Sequence, residues 1–379
     1  MLKKNDNEFL ARALELATRG MGHTRPNPAV GAVIARNGKI VGEGWHKKAG
    51  GDHAEVAAIK DATRRGNSTK DATIYVTLEP CSKPGRVGAC TDAIIAAGIK
   101  RVVYGAVDPN PKNRGKAKRA LAKHGIICVN AGARRPRPAV QPVHGAGPSR
   151  PRETKSLIAS AGRLIAPFAK HVTTGLPYVT VKIAMSLDGK ICDDYGNARW
   201  ISSAESRKMT GRLREHVDAI MVGAETVRKD NPSLLSHGRR NDDLIRVVIS
   251  KSGKLPKTAQ VFTDGKNPTL VFDDAKKALR ELGKMGVMSV LCEGGLKLAR
   301  SLADAGLVDE WMTVMAPVYI GSKHISKAIR GTVFYNTCFL ASGDSFYTAG
   351  LSDFSTWSGA GADIKFDAKD PNGRDARST

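Results

Sequence analysis

Apolar positions along this chain fall into two periods. Phe9, Leu10, Ala13, Leu14, Leu16 and Ala17 recur at helical spacing, so the chain opens on an amphipathic helix. AVGAVIA (29–35) and KIVGEGW (39–45) are strand-length runs separated by Asn37-Gly38, a pair suited to the positive φ angles of a tight turn, and they predict a β-hairpin. Helices are expected over 53–60, 91–97 and 116–124, with strands over 73–78, 101–107 and 126–129. Alternating elements of these lengths predict an α/β layered domain. The pattern stops at NAGARRPRPAVQPVHGAGPSRPR (130–152), which is rich in Pro, Gly and Arg, holds no acidic residue and reads as a linker or disordered insertion. Strands recur at 178–184, 219–222, 244–250, 269–272 and 288–292, with helices at 204–216, 275–285 and 296–305. This predicts a second α/β domain, one without the GxGxxG turn of a Rossmann dinucleotide site. From about Ser326 the chain turns rich in Gly, Ser and Asp and predicts no particular element.

A length of 379 residues agrees with two domains, and 41% hydrophobic residues supply core enough for both. The opening MLKKNDNEFL has charge but no apolar run behind it, so it does not read as a signal peptide, and no stretch is long and apolar enough to span a membrane. Six scattered cysteines make no disulfide framework, and a reducing cytoplasm is the expected compartment. The net charge of +24 is uneven: residues 1–128 carry 23 Lys and Arg against 11 Asp and Glu, and residues 129–175 carry 8 against 1. Such a field suits phosphorylated ligands or nucleic acid, or is simply a solvated basic surface.

The strongest chemical signal is His53-Ala54-Glu55 followed by Pro80-Cys81 and Cys90. One imidazole and two thiolates are three zinc ligands, leaving the fourth tetrahedral position to water, as catalytic zinc requires. Glu55, at the start of the expected helix, is placed to move protons without ligating metal. A His-Ala-Glu triplet alone is usually a surface or core feature, and a cysteine pair alone often merely packs. In this order, between a strand and a helix, they match the zinc-deaminase signature H-x-E…P-C-x-x-C except that eight residues separate Cys81 from Cys90.

The runs PNPAVGAVIARNGKIVGEGWHKKAGGDHAEVAAI and TLEPCSKPGRVGACTDAIIAAGIKRVVYGAVDPNP resemble the deaminase domain of the bacterial bifunctional riboflavin-biosynthesis deaminase/reductases, whose cysteine loop is also long. The resemblance implies zinc on His53, Cys81 and Cys90, Glu55 as proton shuttle, and substrate contacts at Asn27, His46 and Asp108. Lys83 and Val87-Gly88-Ala89 stand where that family usually has His and Thr-Pro-Pro.

PYVTVKIAMSLDGKI (177–191), Trp200, DAIMVGAETVRKDNPSL (218–234) and LCEGG (291–295) resemble the family's second domain, which uses NADPH. This implies NADPH contacts at Ala184, Trp200, Thr226, Asp230 and Gly295, and substrate contacts at Arg214, Leu234 and Glu293. Glycines between a strand and a helix also let backbone N–H groups approach a phosphate. Ala198, Ser250-Lys251 and His237 depart from the family's pattern, and the resemblance covers about 8–128 and 175–322. The expected architecture is a cytidine-deaminase-like α/β/α domain over 1–130, a basic linker or insertion over 131–174, and a dihydrofolate-reductase-like α/β domain over 175–379. The expected activity is deamination of a phosphoribosylated pyrimidine and then NADPH-dependent reduction of its ribose, by a chain that forms a homo-oligomer on family likeness.

Two other readings fit parts of the chain. The departures at Ala198 and Lys251 and the unusual tail suit a deaminase with a degenerate reductase domain. The charge and the Arg-rich 134–152 segment suit a nucleic-acid deaminase or binding protein. Base-stacking aromatics argue against the second: none lies between Ala131 and Ala166.

Overall fold

The computed structural model describes residues 2–3, 5–83, 88–132, 152–193, 195, 201–202, 204–236, 243–316, 318–320, 338–342 and 345–349. Its first half is built on β1 (Gly31–Arg36), which is buried along nearly its whole length because both faces of its sheet are covered. Successive side chains go to opposite faces. Ala32 and Ile34 join a core with Ala54 and Ala58, and Val33 and Ala35 join another with Phe9, Leu10 and Ala13. The latter three lie on α1 (Asp6–Thr18) and the alanines on α2 (Ala54–Arg64). The sheet is completed by β2 (Lys39–Trp45), β3 (Thr73–Leu78), β4 (Arg101–Ala106) and β5 (Ile127–Asn130), in the order β2-β1-β3-β4-β5. α3 (Cys90–Ala96) and α4 (Lys116–Ala122) connect the parallel strands β3, β4 and β5. The hairpin turn forms where expected, with φ of 52° at Asn37 and 74° at Gly38.

α1 is pinned by charge as well as packing. The buried Asp6 carboxylate accepts two hydrogen bonds from Arg101 at 2.8 and 2.6 Å and one from the Tyr75 hydroxyl at 2.8 Å. Close packing on the other face rests on glycine. A Cβ at Gly42 would lie 2.4 Å from the Ala58 carbonyl oxygen, and one at Gly44 2.4 Å from the Ala58 nitrogen, so α2 sits directly on the β2 backbone.

The second sheet has the order β13-β12-β11-β6-β10-β7-β8-β9. Its strands are β6 (Tyr178–Met185), β7 (Ala219–Gly223), β8 (Ile245–Ile249), β9 (Thr269–Phe272), β10 (Ser289–Cys292), β11 (Glu310–Met315), β12 (Cys338–Ser342) and β13 (Ser345–Ala349). All pair in parallel up to β11, and β12 and β13 add antiparallel. The helices here are α6 (Ala204–Leu213), α7 (Ala224–Asp230), the short α8 (Gln260–Thr263), α9 (Ala275–Lys284) and α10 (Leu296–Asp304). Both halves are α/β, as the sequence leads one to expect.

Five features lie beyond that expectation: α5 (Arg152–Thr174), α7, α8, β11 and the β12–β13 hairpin. α5 is 23 residues long and contains Pro167. It packs on the first sheet, where Gly105 admits Ala161: a Cβ on that glycine would lie 2.9 Å from Ala161 Cβ. Its other end meets the second sheet through an ion pair between Lys170 and Asp309, whose carboxylate also accepts from the Val179 N–H at 2.7 Å. The expectations at Val87, Ala198, Trp200, His237, most of 130–152 and most of the tail fall outside the described residues.

Candidate active sites

Two helix N-termini and one strand end build the first site. His53 is the N-cap of α2 with extended backbone, and Glu55 follows in the first turn. Cys90 opens α3, and Cys81 lies three residues beyond β3. The His53 Nδ1 is 3.1 Å from Cys90 Sγ and 3.6 Å from Cys81 Sγ, and all three donor atoms lie within 4.8 Å of one another. A tetrahedral zinc with bonds of about 2.0–2.3 Å needs ligand atoms roughly 3.6–3.8 Å apart. The triplet therefore fits zinc with little movement.

The thiols behave as a pair. Hydrogen bonds from Cys90 and then from His53 pull Cys81 below the ordinary thiol range, while the bond to Cys81 and burial push Cys90 up. The Cys90 N–H donates to Cys81 Sγ at 3.3 Å, and the N-terminal end of α3 favours negative charge there. The hydrogen bond to Cys81 raises His53. Glu55 is only 4% exposed, and burial first, then the Cys81 charge, pushes its carboxyl up to about 7. That is the range in which a carboxyl both takes and gives protons.

The expected substrate contacts gather around this triplet. His46 sits edge-on to His53 with ring centroids 5.4 Å apart. Its Nδ1 is 2.9 Å from the Asp52 carbonyl oxygen, which can only accept, so the proton resides on Nδ1. Nε2 then accepts from the Asn27 amide at 3.1 Å. Burial lowers the His46 pKa, in keeping with this neutral tautomer. On the other side, Asp108 accepts from the Asn110 N–H at 2.8 Å and from the Asn113 amide at 2.7 Å, and the Asn113 carbonyl oxygen accepts from the Ser82 N–H at 2.9 Å. Burial raises Asp108.

Sequence reasoning missed Glu79 and Asn113. Buried Glu79 accepts from the N–H groups of Asp108, Gly115 and Ala117 at 3.2, 3.0 and 3.3 Å, tying the 108–117 loop to the strand that leads to Cys81. An acid before Pro-Cys carries no periodic signal, so only the fold reveals it.

The second site is a cavity of about 540 Å³ in the second half. Ala184, Thr226, Asp230 and Gly295, expected at a cofactor, line it together with Arg214, Leu234 and Glu293, expected at a substrate. Trp200 lies outside the described residues. Arg214 forks onto Glu293, Nε to Oε1 at 2.8 Å and Nη2 to Oε2 at 3.0 Å, and its Nη1 donates to the Leu235 carbonyl at 2.9 Å. Gly295 is the N-cap of α10, and a Cβ there would meet open space, so the first N–H groups of that helix are accessible to an anion. Thr210 and Arg207, one and two turns before Arg214, also line the cavity and were not foreseen. Arg214→Lys keeps the charge but loses the planar fork. With the role that the resemblance implies for Arg214, the change is expected to raise KM for a phosphorylated substrate about tenfold in steady-state NADPH oxidation, with ammonia release unchanged.

Comparison with known proteins agrees with this division. Residues 3–106 match the cytidine and deoxycytidylate deaminase zinc-binding region, and residues 177–339 match the RibD C-terminal domain. Riboflavin biosynthesis protein RibD of Bacillus amyloliquefaciens is 35% identical over 397 residues, covering 97% of each chain. That of Escherichia coli (strain K12) is 35% identical over 353 residues, 84% of this chain and 89% of its own. A crystal structure from Thermotoga maritima, a diaminohydroxyphosphoribosylaminopyrimidine deaminase/5-amino-6-(5-phosphoribosylamino)uracil reductase, has TM-score 0.73 and 31% identity over 90% of this chain and 96% of that one.

Fold and site define a bifunctional enzyme, a zinc-binding deaminase joined to a reductase. The chain belongs to the RibD family of riboflavin biosynthesis proteins. A deaminase with a degenerate reductase, and a nucleic-acid deaminase, are not favoured by these likenesses.

Proposed function

We propose that residues 1–130 hydrolyse the exocyclic amine of 2,5-diamino-6-(5-phosphoribosylamino)pyrimidin-4-one and that residues 175–379 then reduce the ribosyl group to a ribityl chain with NADPH. The carrying observation is that one chain holds a three-ligand metal triplet beside a buried, non-ligating carboxyl and, separately, one cavity that collects seven of the eight residues expected at the reductase site.

Zinc, when bound, polarises water and lowers its pKa towards neutrality. Glu55 accepts a proton from the attacking water and passes it to the ring nitrogen. It then moves a second proton to the departing amine, so that ammonia leaves and a carbonyl remains. Asn27 orients His46 as a neutral ring, and the buried Asp108, held by Asn113, presents a fixed acceptor across the pocket.

NADPH, when bound, would supply the hydride that makes the sugar's C1 a methylene, while the C1–O bond breaks and the released ring oxygen takes up a proton from solvent to become a hydroxyl. The N–H groups at the start of α10 suit its phosphate oxygens. Ala184, Thr226 and Asp230 line the same cavity and suit the cofactor, while the Arg214–Glu293 fork and the Leu234 backbone suit the substrate. In the same reading the enzyme works in the cytoplasm, where its ligand thiols stay reduced, and assembles with copies of itself as family likeness implies. Among the described residues no helix is long and apolar enough to cross a membrane.

The test is simultaneous measurement of ammonia release and NADPH oxidation by the zinc-loaded protein given the diaminopyrimidine. One ammonia per NADPH is expected. Ammonia without oxidation refutes the reductase half, and neither signal refutes both.

A further inference from the structure

Beneath the reductase cavity lies a charged side chain that takes no part in the chemistry above. Arg246 sits within β8, in register with Ile220 of β7 and Thr269 of β9, and is 1% exposed. Burying a guanidinium between strands is costly unless its charge is answered. Nη1 donates to Asp264 Oδ2 at 2.6 Å and Nη2 to Oδ1 at 3.0 Å. Nη1 also donates to the Ser233 carbonyl at 3.1 Å, and Nη2 to the Asn267 carbonyl. Apolar residues of similar volume would serve packing at least as well as a buried ion pair. What the pair adds is its grip on a loop.

Ser233 belongs to the 231–234 stretch that walls the cavity. Two of its residues adopt left-handed backbone, Asn231 with φ 42° and Leu234 with φ 56°. For leucine this conformation is strained, and such strain persists only where the surroundings over-determine it. The Leu234 side chain is buried among Ile220, Val222 and Leu244, so it offers the cavity its backbone. The carbonyl before it is held by Arg246 and the carbonyl after it by Arg214. Asn231 is anchored in turn, its Oδ1 accepting from the Gln260 N–H at 2.8 Å.

We propose that Arg246, with Asp264, is a positioning residue of the reductase site: it clamps the Ser233 carbonyl and so keeps the strained Leu234 backbone turned towards the bound sugar phosphate. This rests on the reading of the cavity as the reductase site.

The test uses the full chain carrying Arg246→Lys, with Asp264→Asn as a milder second variant that leaves the arginine in place. Hydrogen exchange over residues 230–236 is expected to quicken about tenfold, and KM for the deaminated intermediate to rise about tenfold with kcat within roughly threefold. Ammonia release from the same sample is expected to hold, which reports that the first half is intact, while the retained kcat for NADPH oxidation reports that the second half is folded. If Arg246→Lys does not fold, Asp264→Asn carries the test, with the same direction and a smaller size. Unchanged exchange over 230–236 overturns the proposal. So does a fall in kcat for NADPH oxidation with KM unchanged and a lowered Tm, since that is the signature of stability alone. Absence of NADPH oxidation in the unmutated protein would refute the reductase reading instead, and exchange would still decide for or against the clamp.

Discussion

Glu55→Gln is expected to slow ammonia release by about 10²–10⁴-fold, the usual worth of a positioned general acid–base. Zinc should remain at one per chain and NADPH oxidation with the deaminated intermediate should be unchanged. The substitution is nearly isosteric, and the three ligand atoms come from His53, Cys81 and Cys90, so nothing holding the metal is removed. What is lost is the ability to take a proton. The carboxyl is pushed up to about 7 by burial, then by the Cys81 charge, so the unmutated group has a reason to exchange protons readily. Removing an ionisable group that is only 4% exposed should also leave the unfolding midpoint unchanged or raise it. Parallel metal analysis, scanning calorimetry and the two activity assays separate the roles. Near-normal ammonia release would remove Glu55 from the chemistry, and loss of zinc would recast it as part of the metal's support.

Where the sequence was readable, one physical reason recurs. β1, β3 and β4 are buried on both faces and therefore appear as largely apolar runs, interrupted by Thr77 inside β3 and by arginines at the ends of β1 and β4. The β1–β2 turn announces itself because Asn37-Gly38 is the cheapest way to place two consecutive positive φ angles. α5 was hidden by its context: it follows a Pro- and Arg-rich stretch and contains Pro167, which normally argues against a helix interior. α7 is short and its sequence AETVRKD has only Ala224 and Val227 as apolar residues, too few for a period to show, whereas α3 and α4 of equal length carry more.

The sites divide in the same way. His53, Glu55, Cys81 and Cys90 were legible because metal ligation demands particular donor types in a fixed order. Glu79, Asn113 and Arg246 were not, since each acts by holding a backbone group that is distant in sequence. The Glu79 carboxylate reaches Ala117, and the Arg246 guanidinium reaches Ser233. An acid or an arginine with such a task looks like any other until the chain is folded.

Gly44→Ala is expected to cost the deaminase at least about 10²-fold in ammonia release, the scale on which a misplacement of roughly 1 Å acts on catalysis. The added Cβ would lie 2.4 Å from the Ala58 nitrogen and 2.7 Å from the Ala54 carbonyl oxygen. Both are α2 backbone, which has no rotamer to change, so the helix must lift off β2. Lifting α2 carries away His53 and Glu55 together, whereas Cys81 and Cys90 ride on β3 and α3 and stay behind. The ligand triplet then opens on one side. Overpacking of this kind typically costs about 1–3 kcal/mol, so the domain should remain folded but bind zinc more weakly. NADPH oxidation, served by the other sheet, should persist. Gly38→Ala is the informative control. That glycine has φ 74° and nothing within 4 Å of an added Cβ, so the change strains the hairpin turn without touching α2. A fall in Tm in both variants, with zinc and ammonia release lost only at Gly44, would show that the glycine face of β2 is the seat of the metal-binding helix. Equal retention of zinc in the two would show that α2 finds its position by other contacts.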